Sequence, residues 1–159
     1  MSVKGRQETC WQLNELAGES MSASRDRFEE LVQEGILHQS GQAFSLALPA
    51  GRALDYIPYQ WVQTRFDNFL YWDRAVVAHG HRRQGVGRSL FAALMADAAD
   101  AGADLVVCAV HDRPHNRVGH AFVQALGFVA IESVMLPSRD IVTFYQCPVT
   151  QRSTAIATP

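Results

Sequence analysis

The spacing of apolar positions changes several times along the chain, and each change predicts a new element. Phe28, Leu31 and Val32 recur at helical intervals behind Ser22 and Ser24, either of which suits an N-cap. Gly35 stands where a left-handed residue would end that helix. From Ile36 to Gln39 and from Ala43 to Leu48 the period falls to two. Phe44, Leu46 and Leu48 share a face there, and Ser40-Gly41 makes the segment a hairpin. Leu70 to Ala78 is an apolar strand. Val86, Leu90, Leu94 and Ala98 then recur every four residues in a helix that stops at Gly102. Asp104 to Val110 predicts a strand lying parallel to the previous one, as a helical crossover requires. A loop from His111 to His115 leads into a helix from Asn116 to Leu126, ended by Gly127. Phe128 to Met135 and Ile141 to Cys147 close the chain as an antiparallel hairpin.

Two stretches read less cleanly. Thr9 to Leu13 suggests a first strand after a polar N-terminal segment. Leu54 to Phe69 holds Tyr56, Pro58, Tyr59, Trp61 and Phe66, too aromatic for a linker and too irregular for one element. The order of elements predicts an α/β protein with a mixed, twisted central sheet and helices on both faces. Residues 1–149 are expected to form a single domain, with 150–159 a flexible tail.

Composition narrows the partners. Hydrophobic residues are 48% and charged residues 19% of 159, a globular balance, and the net charge of −2 gives no broad basic face for DNA or a membrane surface. Cys10, Cys108 and Cys147 are odd in number and lack a C-x-x-C, which fits a reducing cytoplasm rather than a disulfide framework or a cysteine zinc site. No apolar run approaches a membrane span and no signal peptide is visible, so a cytoplasmic, soluble protein is expected.

The chemistry concentrates at Ala75–Leu90, where a strand enters a turn of Arg82, Arg83, Gln84, Gly85 and Gly87 and a helix follows at once. Glycines admit close approach of a ligand to backbone. The unpaired N–H groups of a helix start, with the helix dipole, favour an anion such as a pyrophosphate. A Walker loop would need Lys-Ser or Lys-Thr after the last glycine, where Arg88-Ser89 stands. A dinucleotide fingerprint would need a third glycine or alanine where Leu90 stands.

Arg82-x-x-Gly85-x-Gly87 after Val77-Ala78 resembles the acyl-CoA signature of the GNAT N-acyltransferase superfamily. Asn116, Gly119, Phe122 and Leu126-Gly127-Phe128 fall in the register of that superfamily's later motif. With Tyr56, Tyr59 and Trp61, the stretch Phe66–Val77 resembles a bacterial subgroup carrying an F-L-Y-x-D-R strand, and the similarity spans about residues 10 to 148. The resemblance implies a GNAT fold and an acetyl-CoA cosubstrate. The amides of the Arg83 to Ser89 region, through Gln84, Gly85, Val86, Gly87 and Arg88, would bind the pyrophosphate. The main chain of Val76, Val77 and Ala78 would pair with pantetheine, Arg82 and Arg83 would add charge, and Asn116 would contact pantetheine or its loop.

The implied reaction is direct attack of an amine, expected to be that of a small molecule, on the thioester, with backbone N–H groups near Val77 facing the oxyanion. Asp73, His79, His81 and His111 are the candidate bases, with Asp73 first and ion pairing with Arg74 its alternative role. Val123 occupies the position where many members carry a tyrosine acid; Tyr145 or His120 could replace it. The histidines His79, His81, His111, His115 and His120 fall near one rim of the predicted sheet but mainly in loops, poor supports for a metal, and no metal is expected. The rivals are a silent acyl-CoA-binding module and a transferase using an aminoacyl-tRNA donor. The closing hairpin offers an edge for a homodimer.

Overall fold

The computed structural model describes residues 2–17, 23–78, 80 and 85–150. His79, His81, Arg82, Arg83 and Gln84, with Ser22 and the tail after Thr150, lie outside the described residues.

The chain opens with a helix rather than the expected strand. α1 (Val3–Leu16) is capped by the Ser2 hydroxyl and buries Cys10, Leu13 and Asn14. Those positions stand at i, i+3 and i+4, a helical stripe that also passes through Thr9–Leu13. α2 (Arg25–Glu34) takes Ser24 as its N-cap and buries Phe28, Leu31 and Val32. Gly35 closes it in an extended conformation, φ −116°, not the left-handed one its position suggested. Its reason for being glycine is steric: a Cβ there would stand 2.5 Å from the Ala47 carbonyl oxygen.

β1 (Ile36–Ser40) and β2 (Ala43–Pro49) form the expected hairpin through Gly41. The aromatic stretch contains α3 (Ile57–Gln63), with Pro58 in its first turn and Tyr59 and Val62 buried. β3 (Phe69–Val77), α4 (Val86–Asp100) and β4 (Leu105–Arg113) make the crossover unit. β4 runs through His111 and Asp112 to Arg113, so most of the expected loop is strand. α5 (Arg117–Ala125) leads to β5 (Val129–Met135) and β6 (Ile141–Pro148).

The six strands lie in the order β1-β2-β3-β4-β6-β5, with β3 and β4 parallel and the other pairs antiparallel. Helices cover both faces. Phe28, Leu31, Tyr59 and Val62 from α2 and α3 meet Phe44, Leu46, Leu48 and Phe144 on one side. Leu94, Ala98 and Val123 from α4 and α5 meet Leu70, Trp72, Val106 and Tyr145 on the other. Each fully buried Leu or Phe contributes about 1.5–3 kcal/mol, so both layers hold the sheet. Among the described residues no helix is long and apolar enough to cross a membrane.

Candidate active site

The parallel ladder at the centre is short. It pairs Phe69 with Leu105, Leu70 with Val106 and Tyr71 with Val107. Beyond that point β3 keeps its ladder with β2 as far as Val77, and β4 keeps its ladder with β6 as far as Arg113. The two central strands therefore part toward their carboxyl ends and leave a wedge. α4 and α5 are the helices that follow those two ends in the chain, and open α/β sheets hold ligands at that end of their strands.

A bulge shapes one wall of the wedge. Leu46 pairs with Arg74 and Ala47 with Trp72, which leaves Asp73 as the extra residue of β3. Two successive side chains consequently turn to the α1–α3 face. The Tyr56 hydroxyl donates to Asp73 Oδ1 at 2.6 Å, Arg74 Nε donates to Asp73 Oδ2, and Arg74 Nη1 donates to Asn14 Oδ1 at 3.0 Å. The side chains of Asp73 and Arg74 are 0% and 5% exposed. Asp73 as a whole is nevertheless half-buried, so what solvent reaches is its main chain. Burial, with Asp73 beside it, holds the Tyr56 hydroxyl far above the ordinary phenol range. For Arg74 burial opposes the charge, but Asp73 and Tyr56 outweigh it and its pKa is raised. Tyr71 is also raised, mainly by burial.

At the mouth, Gly85 is the N-cap of α4 with φ +77° and open space where a Cβ would point. The amides of Val86, Gly87 and Arg88 form the first turn of this 15-residue helix, which carries no acidic side chain there. The Ser89 hydroxyl is turned back onto the Gly85 carbonyl at 3.2 Å. Gly87 has a different reason for being glycine: a Cβ would stand 2.8 Å from Phe122 Cε1, so it lets α4 approach α5. Val76 is buried, while Val77 and Ala78 are half-buried at the end of β3.

On the other wall, Asn116 caps α5, its Oδ1 accepting from the Gly119 amide at 2.9 Å. His111 is 25% exposed on the α1–α3 face, with Nε2 3.5 Å from Asp140 Oδ2. Val123 is 5% exposed in the core under α5. His120 meets the Tyr145 hydroxyl at 2.7 Å. Asp112, His115 and His120 come together on the α5 side, with Asp112 on β4 rather than in the expected loop and His120 on α5.

Asp73 and its pairing with Arg74 are legible in the sequence, whereas the parts of Asn14 and Tyr56 emerge only in the fold. The available signal was a polar Asn14 on the apolar stripe of α1.

The structure thus combines a wedge between diverging parallel strands with a glycine-led helix start in the segment that follows β3. The chain belongs to the Acetyltransferase (GNAT) family, whose signature matches residues 10–128. It is thus an acetyltransferase by family. A GNAT-family protein from Desulfovibrio desulfuricans has a similar structure, with TM-score 0.73 and 16% identity, covering 94% of this chain and 96% of the other. The ribosomal-protein-S18-alanine N-acetyltransferase from Escherichia coli gives 0.66 and 15%, covering 97% and 94%. The protein yncA from Salmonella typhimurium, solved with acetyl-CoA, gives 0.59 and 14%, covering 94% and 90%. Among curated proteins there is no significant match.

Proposed function

We propose that residues 1–149 form one catalytic domain that transfers the acetyl group of acetyl-CoA to the amine of a small molecule by direct attack on the thioester. The observation that carries this reading is the α4 start: a left-handed Gly85 with open space beside it, no side-chain cap among the described residues, and no acid in the first turn, on the helix that follows β3. Pyrophosphate fits there by charge and by access to backbone. The pantetheine arm fits the divergence of β3 from β4, where the exposed main chain at the bulge supplies polar partners. Arg82 and Arg83 would supply charge from the turn.

The amine would enter from the α1–α3 face, beside Tyr56 and Trp61. His111 fits the base best, being partly exposed and oriented by Asp140. Asp73 fits an anchor better than a base, because Tyr56 and Arg74 occupy both of its oxygens. In this reading the nitrogen gives its proton to His111, the N–C bond forms as the C–S bond breaks, and the thiolate leaves, protonated by solvent. The three buried free cysteines accord with a reducing cytoplasm. A homodimer would pair through the edge strand β5, where Val129 and Met135 are exposed.

The test is thermal stability with and without acetyl-CoA, then free-thiol release across a panel of amines. At a ligand excess of 100-fold over Kd, about 2.7 kcal/mol of stabilisation corresponds to about 5–11 °C in a domain of this size. Gly85→Val, a branched residue at positive φ, should abolish the shift. A shift without turnover on any amine favours the silent module; an undiminished shift in the valine variant refutes the cradle.

A further inference from the structure

We propose that Asp112, His115 and His120 form a divalent transition-metal site, zinc being the ion their chemistry suits, outside the acetyl-transfer wedge and independent of that reading. Two imidazoles and one carboxylate are a recurring three-ligand set for zinc, with water completing a tetrahedron. Their ligand atoms all lie within 4.8 Å of one another.

Two of the ligands sit on rigid elements. Asp112 is the bulged residue of β4, since His111 pairs with Val142 and Arg113 with Ile141. Asp112 continues the alternation of Val106, Cys108 and Val110 onto the α5 side, where His120 Nε2 lies 2.9 Å from Asp112 Oδ1. His115, exposed in the connecting turn, has its ring 5.5 Å from that of His120 and only 19° out of parallel. A tetrahedral zinc with bonds of about 2.0–2.1 Å places its ligand atoms about 3.4 Å apart. Rotation of the exposed His115 side chain closes the remaining gap.

The supporting groups are also in place. The Thr143 hydroxyl donates to Asp112 Oδ2 at 2.5 Å, leaving Oδ1 for the ion, and Ser133 lies 2.9 Å from that hydroxyl. His120 Nδ1 is held 2.7 Å from the Tyr145 hydroxyl, itself bonded by Gln124 Nε2 at 3.2 Å. Such partners fix the orientation of ligands in metal sites. A competing arrangement uses the same atoms. His120 Nε2 lies 3.0 Å from the His111 carbonyl as well as near Asp112, both acceptors, so the metal-free ring carries its proton on Nε2 and accepts from Tyr145 on Nδ1. Zinc takes the place of the Nε2 proton, and Nδ1 then carries a proton donated toward Tyr145 Oη. The proton thus passes from Nε2 to Nδ1 of the same ring. The ion would tie the end of β4 to α5 across the turn that carries Asn116.

The test uses the untagged full chain, freed of metal by chelator and titrated with Zn²⁺ by calorimetry and with Co²⁺ by visible absorption. One equivalent should bind, with the intense spectrum of tetrahedral cobalt. Thr143→Val should weaken zinc by about tenfold or more. His115→Ala, at an exposed position, should weaken it further, whereas His111→Ala, which keeps its carbonyl, should not. In ring ¹⁵N spectra His120 should move from the Nε2–H to the Nδ1–H tautomer. Failure to bind one equivalent, binding unchanged in His115→Ala, or an unmoved His120 tautomer would each overturn the site in favour of the hydrogen-bonded arrangement.

Discussion

Replacing Asp73 with Asn removes one charge from a pair that has little access to water. Arg74 remains, 5% exposed at its side chain, with Asn14 and Tyr56 as its neutral neighbours. Removing one partner of a buried pair costs about 3–5 kcal/mol, because the surviving charge has lost its solvation and its counter-ion together. For a domain of 150–250 residues each kcal/mol lowers Tm by about 2–4 °C, so Asp73→Asn should melt about 6–20 °C below the parent. Arg74→Met removes the other half, and the double variant should recover most of the loss, since apolar replacement of a whole buried pair is often neutral. Thermal melts of the parent, both singles and the double give the coupling energy directly. A general-base role predicts a different pattern: near-parental Tm, large loss of turnover, and disappearance of the acidic limb of the pH–rate profile. An Asp73→Asn melt within about 2 °C of the parent, or singles that simply add, would refute the anchor.

Two other variants or conditions test neighbouring claims. Asn116→Ala should cost about 1 kcal/mol through loss of the α5 cap, and Asn116→Ser should restore it; if serine restores stability but not acetyl-CoA affinity, Asn116 also touches the cosubstrate, which isothermal titration would read. Cys10, Cys108 and Cys147 are buried, and burial raises all three thiols, Cys10 to about 11 from 9.0. They should resist a disulfide reagent in the native protein at neutral pH and all react after unfolding. Because the folded pKa of Cys10 is the higher one, its stabilising contribution is complete below about 9 and fades as pH rises toward 11. A chemical-denaturation series across that range should show falling stability, and rapid native labelling of three thiols would contradict the burial.

Legibility of the fold followed the period of its apolar residues. Phe44, Leu46 and Leu48 alternate and gave the hairpin; Leu90, Leu94 and Ala98 repeat at four and gave α4. The failure at Thr9–Leu13 has a local cause. Five residues with apolar side chains at Cys10, Trp11 and Leu13 satisfy either period, and only the span from Ser2 to Leu16 shows the helix. The candidate site was legible in its covalent neighbourhood and opaque in its register. Gly85 could be read as a backbone position, because a helix start after glycine is a local event. The bulge at Asp73 could not, because an extra residue in a ladder is defined by the partner strand.

That distinction bears on where function resides in this chain. The bulges at Asp73 and Asp112 belong to β3 and β4, the two strands that part at the centre of the sheet. Each breaks the strict alternation of faces: in β3 Arg74 joins Asp73 on the α1–α3 side, and in β4 the break falls just after Asp112, which keeps the α5-facing side of Cys108 and Val110. At Asp73 the carboxylate turns inward to Arg74 and leaves main chain open to solvent; at Asp112 it turns toward His115 and His120. A carboxylate so placed is held by its neighbours before any ligand arrives, and reorganisation on binding then costs less. Deleting Asp73 would join Trp72 to Arg74 and straighten β3 with Arg74 to Val77 still on their present partners in β2, but it would remove the carboxylate and the main chain that the bulge exposes. The deletion at Asp73 should therefore abolish the acetyl-CoA shift, while Asp73→Asn, which keeps the bulge, should retain that shift at temperatures below its own melt.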